Sequence, residues 1–175
     1  MNRPISALLV SLSLLMSSAA VAATPASADK AAAAMNVDKA SFVKVVTSSN
    51  AFEIESSKLA ERKAKDADVK EFARQMISDH TMAANELKKA AMLGDDAPKV
   101  SPKHAAMLEL LEAASEQDFQ PLYIDMQASA HMEAVTLFAI YAKGGDDPAV
   151  REFAANTLPK LEMHKMHVTK LVSAH

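Results

Sequence analysis

The chain has 175 residues, no cysteine and a formal charge of −3. That excludes a disulfide framework and a lipid-modified N-terminal cysteine, and it argues against nucleic acid as a partner. Half of the residues are hydrophobic and only three are glycine, while alanine, leucine, lysine and glutamate outnumber any β-branched alternation, so the composition predicts an all-α protein.

In chain order, residues 1–23 pair a basic start at Arg3 with an apolar run of about a dozen residues and small residues at Ala20, Ala22 and Ala23, the anatomy of a cleaved secretory signal. The run is shorter than the ~20 apolar residues that cross a membrane. Its removal takes the charge from −3 to −4, and the expected location is the periplasm, with envelope association left open. Residues 24–39 lack an apolar face and read as a flexible leader; the domain is expected over 40–175. A first helix is expected from about Ala40 to Lys65, and a second from the Asp66 cap to a stop at Gly94. Ser101-Pro102 opens a short helix to about Ala114. Ser115 and Asp118 resemble a capping-box start for a third long helix ending at Gly144-Gly145, and Asp147-Pro148 opens the fourth. "VKEFARQM" at 69–76 echoes "VREFAANT" at 150–157, each opening the second member of a hairpin. Two hairpins joined by a crossover with its own short helix predict a four-helix bundle, with a ferritin-like topology feasible and a simple up-down order also open.

At 100° per residue the first helix carries a stripe of Phe42, Val46, Ser49, Glu53, Ser57, Ala60 and Ala64. The second carries Val69, Phe72, Ala73, Met76, His80, Ala83 and Leu87; the fourth includes Phe153, Leu161, His164, Val168 and Leu171. On the third, Tyr123, Met126, Ala130, Ala134, Leu137 and Tyr141 form the face, with His131 at its edge. Counted from the hairpin turns, Glu53, His80, His131 and His164 all fall near mid-height. One polar residue from each helix then converges on one level.

Three imidazoles and one carboxylate form a site for a single transition-metal ion such as zinc, copper or iron, with manganese also open. The expected function is a periplasmic metal-binding bundle in metal homeostasis or envelope stress protection. The alternative is a metal-free structural or interaction bundle, whose buried Glu–His cluster sets helix registry. A di-iron ferroxidase needs Glu-x-x-His on two helices. Here Ile77, Ala128 and Leu161 stand three residues before the histidines. A mononuclear-metal reaction stays open, because three ligands and a water make a catalytic geometry. Asp79 and Glu133 flank the site as groups that orient or replace a ligand. Pro159 removes a backbone hydrogen bond and is expected to kink the fourth helix just before His164. Met163, Met166 and His167 form an outward patch, read as a contact surface for a protein partner or a second copy, or as a soft Cu(I) site. His104 and His175 are expected to be exposed.

The segments "NAFEIESSKLAERKAKDADVKEFARQMISDHTMAANELKKAA", "YIDMQASAHMEAVTLF" and "EFAANTLPKLEMH" resemble a bacterial family of exported, ferritin-like domains of unknown function, numbered 4142 and often labelled outer-membrane proteins. The resemblance implies a ferritin-like helical bundle and an envelope location, and it places Glu53, His80, His131 and His164 on positions typical of the family. The sequence departs from the pattern at Ala130, where an acidic residue is common.

Overall fold

The computed structural model describes residues 37–94 and 99–174. The expected signal peptide, the leader up to residue 36 and His175 lie outside the described residues. Five helices account for nearly all of the rest: α1 (Lys39–Lys63), α2 (Ala67–Ala91), α3 (Pro102–Ala113), α4 (Phe119–Gly144) and α5 (Pro148–Ala174). No strand occurs among the described residues, so the fold is all-α.

The helix starts follow from short polar side chains that satisfy otherwise unpaired amides. Asp38 Oδ1 accepts from Ser41 N at 2.9 Å. Asp66 Oδ1 accepts from Asp68 N at 2.7 Å and Val69 N at 3.2 Å. Ser101 caps α3 with Pro102 at the first turn, and Asp147 Oδ1 accepts from Ala149 N and Val150 N. At α4, Ser115 Oγ accepts from Asp118 N at 3.2 Å and donates to Asp118 Oδ2 at 2.6 Å. The Asp118 side chain therefore closes on the serine hydroxyl instead of the serine amide that a capping box uses. The second helix stops earlier than expected: Met92, with φ 55°, makes the left-handed C-cap, and Gly94 lies beyond it. Pro159 sits inside α5 on its exposed side without ending the helix, where solvent can reach the carbonyl left unpaired.

Contacts at the helix ends set the chain directions. Lys65 N and Asp66 N donate to Gln120 Oε1, so α4 begins beside the α1–α2 turn. Lys39 pairs with Asp147 at 2.8 Å, so the α4–α5 turn lies beside the start of α1. It follows that α1 and α5 run one way, and α2 and α4 the other. Between them α3 climbs along α1: Ser101 N donates to Ser48 Oγ near one end, and Lys63 Nζ donates to Glu112 O near the other. The crossover thus returns the chain along the length of the molecule. Around the axis, α1 packs on α2 and α4, and α5 packs on the same two helices.

The core has two apolar clusters. One gathers Phe52, Phe72, Met76, Phe119, Tyr123 and Val168; the other gathers Phe42, Val46, Leu87, Phe138, Phe153 and Leu161. His80, His131 and His164 lie between them in sequence on each helix: 76 and 87 bracket His80, 130 and 138 bracket His131, and 161 and 168 bracket His164. The buried face of α4 is rotated from the expected one. Ile124, Gln127, His131 and Phe138 are buried beside Tyr123 and Tyr141, while Met126, Ala134 and Leu137 are only half-buried. His131 therefore stands inside the face. His104 is also buried, against expectation, because α3 lies flat on α1.

Candidate metal centre

Three of the four residues picked out by register meet. His80 on α2, His131 on α4 and His164 on α5 are 5%, 1% and 1% exposed. Their ring centroids form a nearly equilateral triangle of 5.7, 5.6 and 5.4 Å. One nitrogen from each lies within 4.8 Å of the other two. A tetrahedral or trigonal ion at ~2.0–2.1 Å from each needs nitrogen separations of roughly 3.3–3.6 Å, a closing motion of rotamer size.

The outer nitrogen of each ring is held by an acceptor, and that fixes its tautomer. His80 Nδ1 meets Asn50 Oδ1 at 2.9 Å, His131 Nδ1 meets the Gln127 carbonyl at 2.9 Å, and His164 Nε2 meets Asp79 Oδ2 at 2.9 Å. Opposite a backbone carbonyl and a carboxylate, His131 Nδ1 and His164 Nε2 must donate, and with Asn50 turned Oδ1 toward the ring His80 Nδ1 donates as well. The proton-free nitrogens are then His80 Nε2, His131 Nε2 and His164 Nδ1, and these are the three that find no hydrogen-bond partner among the protein atoms. A buried acceptor left so costs about 1–3 kcal/mol, and here three of them face one another. Asn50 Nδ2, Glu53 Oε2 and Gln127 Oε1 of the same layer also lack a partner among the protein atoms.

Electrostatics keep the rings neutral. Burial pushes His80 well below the ordinary imidazole range, and the two neighbouring rings add to it. Burial likewise lowers His131 to about 4, against the pull of the Gln127 carbonyl. His164 is lowered by burial despite Asp79 beside it. For Asp79, burial pushes the carboxyl up, but the hydrogen bonds from His164 and from Lys160 Nζ, 3.2 Å away, leave it below the usual carboxylate range. Since His164 is neutral, its donated N–H and the Lys160 ammonium hold Asp79 ionised. Neutral imidazoles are the metal-binding form, so no proton must leave before an ion arrives.

Glu53 is buried but is not among the residues whose ligand atoms converge. The register explains why: Asn50 lies level with His80, and Glu53 is about one helical turn further on, where it takes a hydrogen bond from the Gln127 side chain. Burial raises its carboxyl to about 8, so it is a neutral acid at pH 7, with Oε2 unpaired. Ser56, Ser57, Tyr123 and Gln127 make up the rest of this polar level, joined by the Ser57–Tyr123 contact at 2.9 Å and the Gln127–Ser56 contact at 3.2 Å.

Of the flanking acids, Asp79 orients a ring, whereas Glu133 pairs with Lys103 at 2.7 Å on the surface. Met163 and Met166 are 50% and 58% exposed, and His167 sits edge-on to Phe72 at 5.1 Å. The residue that sequence reasoning missed is Asn50. Its signal was present, because 46, 50, 53, 57 and 60 trace the same helical stripe as the version drawn through Ser49. No described helix is long and apolar enough to cross a membrane.

A comparison with curated proteins found no match. Among solved structures, a copper-related protein described as "CopM in the Cu(II)-bound form" is similar, with a TM-score of 0.66 and 19% identity over 80% of this chain and 99% of that one. The likeness extends to the fold. A family model matches residues 24–171, nearly the whole of the sequence after the expected signal. By that match, the chain belongs to the family described as domain of unknown function DUF4142.

Proposed function

We propose that this protein is an exported metal-binding bundle of ferritin-like topology that holds one transition-metal ion on His80 Nε2, His131 Nε2 and His164 Nδ1. The observation that carries the reading is the set of three buried, unpartnered, proton-free nitrogens aimed at a common point. Asn50, the Gln127 carbonyl and Asp79 act as the outer partners that orient metal-bound imidazoles. An all-imidazole set suits zinc, copper or iron. Copper is the first ion to test, since the structural relative was seen with Cu(II). Glu53, the fourth residue of the sequence-based set, lies outside the converging group in this reading. A single site suits homeostasis or protection of the envelope, not bulk storage. The apolar segment at 1–23 and the absence of any membrane-spanning helix among the described residues support a periplasmic location.

The test is elemental analysis of untagged protein purified from periplasm, beside a His80→Ala/His164→Ala variant. The reading expects close to one ion per chain in the parent and none in the variant, with the variant still helical. A parent protein that arrives metal-free and takes up no zinc, copper or iron contradicts it.

A further inference from the structure

The metal reading leaves a charge and a coordination position unaccounted for. Three neutral imidazoles would bring a divalent ion into the core with its full charge, and a buried charge needs a counter-charge. The two nearest candidates among the acids do not supply one directly. Glu53 lies outside the converging group, and Asp79 spends its carboxylate on His164 Nε2 and Lys160. Three protein ligands also leave a tetrahedral ion one position short.

A cleft of about 250 Å³ between α2 and α5 reaches two of the three rings, His80 and His164. Asp79, Glu86, Asn156 and Lys160 share its lining. Lys160 is the cation at this opening, partly solvated with its ammonium against Asp79. The third ring, His131 on α4, does not line the cleft. The bare nitrogens of His80 and His164 have no exposed surface, so the cleft stops at the rings and only a ligand of a few atoms could pass them to reach the ion.

We infer that the metal-loaded centre takes a small monoanion from solution as its fourth ligand, admitted through the α2–α5 cleft beside Lys160. The inference rests on the metal reading above and deepens it. It assigns the site an exogenous ligand class: monoanions of a few atoms, with azide and cyanate as probes and hydroxide as the ligand that water supplies. The volume of the cleft excludes nothing of that size, while the burial of the nitrogens excludes large chelators.

The experiment is a titration of the Co(II)-loaded protein with azide, followed by the visible ligand-field bands, in the parent, Lys160→Gln and Glu53→Gln. Expected is a saturable one-to-one spectral change in the parent. Lys160→Gln should bind the same amount of Co(II) but respond to azide about 1.5- to fivefold more weakly, the scale of one partly solvated charge. Glu53→Gln should leave both the starting spectrum and the azide response as they are. Full Co(II) loading with bands that azide never moves overturns the inference and leaves the metal reading standing. So does a Glu53→Gln spectrum that differs before azide is added, because Glu53 would then be the fourth ligand. Failure to take up Co(II), copper or zinc at all overturns the metal reading and this inference with it.

Discussion

Two places in this molecule bury histidine, and they do it differently. At the α1–α3 contact, His104 lies under α3 with its ring stacked on Phe52 at 5.2 Å, and its Nδ1 meets Ser48 Oγ at 2.7 Å. Ser48 Oγ also accepts from Ser101 N at 2.8 Å, so one hydroxyl holds both the ring and the start of α3. These contacts fasten the crossover helix α3 to α1. In the central layer, each histidine is paired on one side only. The outer nitrogens have acceptors, and the inner ones face each other without donors. Burial alone thus does not separate the two; convergence does, since one nitrogen from each of the three central rings lies within 4.8 Å of the other two, and His104 belongs to no such group among the described residues.

Variants that exchange these features should have opposite signatures. The largest effect is expected from His131→Leu. It removes a ligand, so metal affinity should fall by more than the ~100-fold that loss of an orienting partner costs. Stability of the metal-free protein should move by only about 1 kcal/mol, since an unpaired nitrogen disappears together with the ring. Competition against a chromophoric chelator and a urea melt measure the two. Next is Asp79→Asn, which keeps the shape but loses the charge that orients His164; affinity should drop roughly 10- to 100-fold by the same competition.

Ser48→Ala is the mirror image. It orphans His104 Nδ1 and the Ser101 amide, and should cost about 1–3 kcal/mol in the urea melt while leaving metal affinity unchanged. The smallest effect concerns pH. Three solvated imidazoles near pKa 6.5 would lose roughly 30-fold in affinity between pH 7 and pH 6 through proton competition. Here the ring values are depressed, His131 to about 4, so the titrated affinity should stay almost flat over that interval. The metal-free fold should instead lose stability as pH drops below the ordinary imidazole value toward 4, because the unfolded chain binds protons that the folded core refuses. Glu53 acts in the opposite direction. Its contribution is intact below 4.5 and is lost as pH rises through about 8.

Much of this arrangement is legible in the residues. Asp66, Ser101-Pro102 and Asp147-Pro148 mark three helix starts, because a short polar side chain next to a preset φ leaves little choice. The three histidines stand out as single polar residues on apolar stripes. The register is harder to read. A hairpin turn counted two or three residues differently moves α1 by most of a turn, and that is the distance between Asn50 and Glu53. An asparagine among serines and alanines also carries no hydropathy signal of its own. The face of α4 is hidden for the opposite reason: "FQPLYIDMQASAHMEAVTLFAIYAKG" is apolar nearly all round, so periodicity cannot choose a side. The burial of His104 depends on where α3 lies along α1, a tertiary fact that its short sequence does not encode.

The central claim is a place in the core, and anomalous diffraction from crystals loaded with copper or zinc tests it most directly. The account predicts one strong peak between α2, α4 and α5, ~2.0–2.1 Å from His80 Nε2, His131 Nε2 and His164 Nδ1. A peak instead beside the exposed Met163 and Met166 and the half-buried His167, with the three core nitrogens still bare, would contradict it.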